Sequence, residues 1–451
     1  MALGPGFGLA ALMAVQLGWG WQPSSYLAAL IQLHGHAQVY GWIGLFIIGV
    51  SLYFIPRFAG VPLRFASLGS WIAACIAASI VLRALAFAAF AAVSPYWVAL
   101  LSFSALTFLA GVGAYIFLLF STLRAVDPHR TAIRPLFPYF FAALCGWSAT
   151  AIIVQLLTLQ AIEERSGLLH PHWNAWCIDL FVGSVLLPVA FAFSIRTFPL
   201  YLRLTAVRWN VERYFFVYMG CFLLAMLAGA YSLWSGREVE LVEGCARLGK
   251  GVVLVVFVWK LDLLTRRVKA WIVEREGEPP SEPLRHRRPR PGMPDYGEFG
   301  HFEWLVYAAY GWLVCAALLD IYSALGILGG EWAVFDASAL RHVYLAGFGT
   351  LLLLGMAPRM VPGFVHRRGP ASPLLVDLSF FLGMAAVSLR LLPYFAPTTW
   401  WSEIQMQFFG VSGLCGWLAV AALAVNLWIM WLWDLNKMGP VPKGTGPKQT
   451  L

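Results

Sequence analysis

Apolar residues run along this chain in blocks of about 20, the length needed to span a bilayer core, separated by short polar, Pro- or Gly-containing breaks. The blocks show no two-residue alternation of the kind a barrel strand requires. They predict twelve helices, near 3–17, 28–54, 67–91, 96–120, 136–158, 174–195, 214–234, 243–265, 303–326, 340–360, 373–393 and 407–433. The expected architecture is an all-α polytopic membrane protein with one membrane domain. Residues 1–265 carry the first eight helices and 302–434 the last four. The intervening 266–301 is a basic, Pro-rich linker, and 435–451 is a tail.

Two of the blocks repeat a pattern. "HGHAQVYGWIGLFIIGVSLYFIP" begins at His34 and "HVYLAGFGTLLLLGMAPRMVP" at His342. Both fit H-x4-G-x7-G-x6-P, with His36, Gly41, Gly49 and Pro56 in the first and His342, Gly347, Gly355 and Pro362 in the second. A polar ring leads each span. At ~1.5 Å per helical residue, the distance from histidine to proline is about one hydrocarbon thickness.

Composition agrees with the pattern. Of the 451 residues 60% are hydrophobic and only 12% charged, against about 25% charged in soluble domains. The 21 tryptophans and 32 phenylalanines read as interface anchors and core. Seven cysteines are scattered without C-x-x-C or C-x-x-C-H, which removes support for iron–sulfur, zinc-ribbon and covalently attached haem readings. The apolar start lacks the basic segment of a cleavable signal peptide. The net charge of +9 does not point to nucleic acid, because 24 of the 31 lysines and arginines lie in alternate connections, after helices 2, 4, 6, 8, 10 and 12. The positive-inside rule then places both termini and the linker in the cytoplasm.

This orientation brings His34, His36 and His342 to the outer third of the membrane, with His170 and His172 of "LLHPHWNAW" at the same level. Arg83, Arg247, Lys250, Arg341 and Arg390 fall there too, facing the acidic candidates Asp179, Glu243 and Asp320. Five cations against three carboxylates leave room for an anionic guest. A charge inside a span costs a few kcal/mol, so such residues normally face an interior partner, although Arg390 and Lys250 are long enough to snorkel.

Neutral imidazole is the commonest protein ligand for transition metals, and haem iron takes it axially. Haem propionates want arginine partners in a low dielectric. The candidate cofactor residues are therefore His34, His36, His342, Arg83, Arg247, Arg341 and Arg390, and the candidate metal ligands His34, His36, His342, His170 and His172. Gly41, Gly347 and Gly349 would admit a flat macrocycle close to the backbone. His34 and His36 differ by about 200° around a helix and cannot both ligate one iron, which leaves open which of them does. His36 and Tyr40, four apart, share a face.

The block "LHGHAQVYGWIGLFIIGVSLYFIPRF" resembles the second helix of the NnrS family of bacterial membrane proteins, which carries H-x-H before an apolar span. "FSIRTFPLYLR" (193–203) and "VYAAYGWLVCAALL" (306–319) are similar to later parts of the family. "HVYLAGFGTLLLLGMAPRMVPGFVHRR" (342–368) resembles its tenth-helix block at His342, Gly347, Gly349, Thr350, Met356 and Arg359. The chain departs from the family in having "HGHAQ" where "HAHE" is frequent, and Phe364 where a histidine is usual. The resemblance implies a multi-pass protein of the bacterial inner membrane that contains haem b and copper, linked to nitric oxide metabolism or the nitrosative-stress response, with nitric oxide and redox proteins as partners.

The twelve-helix plan also resembles haem–copper oxidase and nitric oxide reductase catalytic subunits, where histidines of helices 2 and 10 hold a low-spin haem. Those enzymes need a further histidine in helix 10 and three on helices 6 and 7, a set this sequence lacks. A secondary transporter is the third reading. It is disfavoured because the repeat is parallel and its polar residues lie away from the midplane.

Overall fold

The computed structural model describes residues 2–21, 26–127, 133–267, 290, 295, 297–330, 334–367, 369–395 and 402–432. Among these the chain forms twelve helices and no strand. They are α1 Ala2–Gly18, α2 Leu27–Ala59, α3 Leu68–Ala91, α4 Trp97–Leu123, α5 Arg134–Glu163 and α6 Pro171–Tyr201, followed by α7 Val211–Ser235, α8 Glu240–Leu261, α9 Phe302–Leu328, α10 Ala337–Phe364, α11 Pro373–Phe395 and α12 Ser402–Leu432. Every span expected from the sequence falls on one of them. Ten are long and apolar enough to cross a membrane. The other two are α1, which is shorter, and α8, whose first half carries Glu240, Glu243, Arg247 and Lys250.

Exposed large side chains such as Trp71, Phe141, Phe216, Leu227 and Trp428 cover the outside of the bundle. A soluble protein of this size would not present so much apolar surface, and a lipid-facing one does. The molecule is a multi-pass membrane protein.

Local chemistry sets the helix ends. Gly60, at φ 66°, terminates α2 in the left-handed conformation that glycine adopts without penalty. Asp336 caps α10 by accepting the Ala339 N–H at 2.7 Å. Pro171 opens α6 in the first turn, directly after His170.

Three helices form the centre. The spans α2, α6 and α10 are 67%, 83% and 67% buried, against 28–56% for the other seven of the ten. Each contains a π-helical segment, Ala37–Gly44 in α2, Val182–Leu186 in α6 and Val343–Thr350 in α10. The segments of α2 and α10 each begin one residue after a histidine, so the sequence repeat is also a repeat of backbone geometry. The segments of α2 and α6 both touch that of α10. Gly349 sits at this junction, where a Cβ would meet Ile43 of α2 and Leu186 of α6, both at 3.2 Å. Beyond it the same helices enclose an apolar cavity of about 70 Å³ bordered by Ile47, Val50, Val189, Phe193 and Met356.

Most of the expected linker lies outside the described residues, as do the tail and 128–132. Within the linker Arg290 is held by Asp295 at 2.7 Å and by Glu303, at the start of α9, also at 2.7 Å. Burial opposes its charge, but the hydrogen bonds it donates to the two carboxylates outweigh that and raise its pKa above the ordinary value. At least this end of the linker is fastened to the membrane domain.

Candidate functional site

The histidines expected at one level divide into separate places. His34, near the start of α2, donates its Nδ1–H to the carbonyl of Gly6 in α1 at 3.0 Å. His342, at the start of α10, donates its Nδ1–H to the carbonyl of Ser338 at 2.7 Å. A carbonyl can only accept, so each contact fixes the ring proton on Nδ1 and leaves Nε2 to act outward. Arg390 Nη2 lies 3.4 Å from His342 Nε2. A guanidinium can only donate, so that nitrogen carries a lone pair and the ring is neutral. His34, His342 and Arg390 lie within electrostatic range of one another. Arg390 does not snorkel away; it stacks over Phe409 of α12 with its Cζ 3.9 Å from the ring centroid. Residues of α1, α2, α10, α11 and α12 thus converge on two anchored imidazoles and one guanidinium.

His36 points elsewhere. It is buried beside Tyr40, ring centroids 4.6 Å apart, and Phe108 of α4, at 5.5 Å. The charge it feels is that of Arg83 in α3. The face shared by His36 and Tyr40 brings their rings together edge-on, while the Tyr40 hydroxyl lies 3.8 Å from Cys177 Sγ. The two rings of the H-x-H motif therefore belong to different sites, as the angular argument required.

The cations sort just as cleanly. Arg247 pairs with Glu243 at 2.6 Å, Lys250 with Asp320 at 2.9 Å and Arg341 with Asp179 at 3.2 Å. All three expected carboxylates are consumed. Arg247 and Arg341, expected to meet a cofactor, are neutralised by protein neighbours instead. Arg83 and Arg390 have no carboxylate partner among the described residues, and each accompanies one histidine of the H-x-H motif.

Other expectations are corrected. His170 and His172 have ring centroids 5.9 Å apart, but His172 is exposed. His170 is the residue before α6 and its Nδ1 is buried without a partner among the described residues. Its neighbour Leu169 is held by Gln32 of α2 through both backbone groups, at 2.7 and 3.0 Å. The five histidines do not gather, and no group of three or more metal-ligating side chains forms among the described residues. Gly347 and Gly349 do not open onto a cofactor slot. A Cβ at Gly347 would strike Trp312 at 2.9 Å, and Gly349 receives Ile43 and Leu186, so these glycines serve helix packing. Arg359 lies at the other end of α10, with its Cζ 4.2 Å from the Phe299 ring centroid. All seven cysteines are free thiols.

Sequence reasoning missed three participants. Gly6 and Ser338 act through backbone carbonyls, which leave no trace in residue type. Tyr344, in the π segment of α10, donates its hydroxyl to Asp320 beside Lys250. Its place two residues after His342 was the only available signal.

Comparison with known protein families and with curated proteins finds no match to this chain.

Proposed function

We propose that this protein binds haem b through His34 and His342, in a bacterial inner-membrane protein of the NnrS type that acts on or responds to nitric oxide. In this reading all twelve helices cross the bilayer, with both termini cytoplasmic. The observation that carries it is the pair of imidazoles on two inner helices, each anchored through Nδ1 to a carbonyl and gathered with Arg390.

The donor set suits a porphyrin. A bare ion such as copper or zinc wants three or four protein donors, whereas haem brings four equatorial nitrogens and asks the protein for two axial ones. The Nδ1 anchors orient both rings and raise their basicity, as second-shell partners do at metal sites. Arg390, without a carboxylate among the described residues, is the group suited to a propionate. Held by these two imidazoles, haem would supply redox chemistry and an iron able to bind nitric oxide. The nitric oxide role rests on the family resemblance, and copper has the weaker case because no third donor joins the pair among the described residues.

The test is spectroscopic. Protein from haem-replete cells is expected to show a Soret band that collapses in His342→Ala and in His34→Ala and persists in His36→Ala. Nitric oxide is expected to shift the reduced spectrum. A colourless wild-type preparation would sink the proposal.

A binuclear oxidase reading loses ground here. His172, one of its few possible further ligands, is exposed, and the described residues assemble no three-ligand centre.

A further inference from the structure

Arg83, in the second half of α3, is buried within the bundle. It is 1% exposed, and Nε, Nη1 and Nη2 are all buried without a hydrogen-bond partner among the described residues. His36, 5% exposed, stands within its electrostatic range, with Nε2 buried and equally unpartnered among the described residues. Tyr40 is the other titratable group near Arg83 among the described residues, and its hydroxyl is already engaged with Cys177. The three carboxylates expected from the sequence at this level, Asp179, Glu243 and Asp320, are paired with other cations.

A buried charge of this kind has few ways out. Most buried ionisable groups shed the charge by shifting their protonation, but a guanidinium stays protonated. Leaving it unpaired in low dielectric is among the costliest arrangements a core can hold. Arg83 offers five N–H donors and no acceptor, so its complement is an acceptor with negative charge. A metal ion at His36 Nε2 would face the repulsion of Arg83. One guanidinium calls for one negative charge, and the flanking Tyr40 and Phe108 rings favour something small.

We propose that Arg83, with His36 Nε2–H as a second donor, forms an internal binding site for a single monovalent anion, a halide or a nitrite-sized oxyanion. This site is distinct from the pair His34 and His342 and does not depend on haem being there. A porphyrin carboxylate reaching the same guanidinium would present the same chemistry.

The experiment uses the full chain in detergent, purified with bromide as the only halide, desalted into gluconate and assayed by elemental analysis. About one bromide per chain is expected in wild type and in Arg237→Met, a change at an exposed arginine after α7, and none in Arg83→Met. In parallel, at fixed ionic strength, bromide or nitrite at concentrations well above its Kd is expected to raise the wild-type Tm over gluconate by about 2–4 °C. Adding haem separates the sources, since a free anion stays bound while competition from a propionate releases the bromide. No retained bromide together with identical Tm values in bromide, nitrite and gluconate would overturn the proposal, as would equal retention in Arg83→Met. Should Arg83→Met fail to fold, the wild-type anion series alone decides the matter.

Discussion

A neutral imidazole that gives its Nδ1–H to a carbonyl has one lone pair left to offer, on Nε2, and its ring can no longer turn freely. His34 and His342 are both in this condition. Arg390 is expected to act on cofactor affinity more than on folding, because it has an aromatic face but no carboxylate among the described residues. Arg390→Met should lower haem affinity roughly tenfold, the effect of losing about 1.4 kcal/mol, with the thermal unfolding of haem-free protein little changed. Equal affinity in the variant would remove Arg390 from the site. The opposite behaviour is expected at Lys250, whose ammonium neutralises the buried Asp320. Lys250→Met strands that carboxylate and should destabilise the fold by about 3–5 kcal/mol, measurable by denaturation in detergent. At this scale the sequence was informative about charge. The count of five cations against three carboxylates left two cations without a partner, and helical phase anticipated that His34 and His36 would part. It could not say which cations were left over, because Glu243 reaches Arg247 within one helix while Asp179 and Asp320 reach across to others.

Helices were legible as blocks, and their irregularities were not. Within 37–44 and 343–350 nearly every residue is apolar or glycine, so an α turn and a wider π turn leave the same hydrophobic signature. The repeated glycines were visible and were misread. Gly347 and Gly349 suggested room for a macrocycle, but that room is taken by Trp312, Ile43 and Leu186. Two outcomes follow for α10. Asp336→Ala should cost about 1 kcal/mol through the lost cap and loosen the turn that carries His342; unchanged stability would show that the cap is idle. Inserting one alanine after Thr350, where α10 returns to regular α-helix, should turn His342 by about 100° relative to the remainder of α10. The expected readout is a lost Soret band with helical circular dichroism retained.

For the whole molecule, the bundle is organised around the three helices that carry a histidine in their first half or directly follow one. Their burial distinguishes α2, α6 and α10 from a periphery that meets lipid. Depth in the bundle had no sequence counterpart, since inner and outer spans are about equally apolar. Mean hydropathy in the ten spans runs only from 1.4 to 2.2. The alternation of basic connections predicts that reporters fused after α2 and within the linker face the cytoplasm, and that one placed between α10's predecessor α9 and α10 itself faces outward. A reversed pattern would put the histidines near the inner surface.

One contact reaches furthest in practice. The carbonyl that orients His34 belongs to Gly6, in the opening turns of α1. Any change that disturbs those turns is therefore surgery on an imidazole nearly thirty positions away. If the proposed haem is held there, preparations differing only at those turns will differ in colour, and the integrity of α1 belongs among the variables to control before any preparation is declared empty.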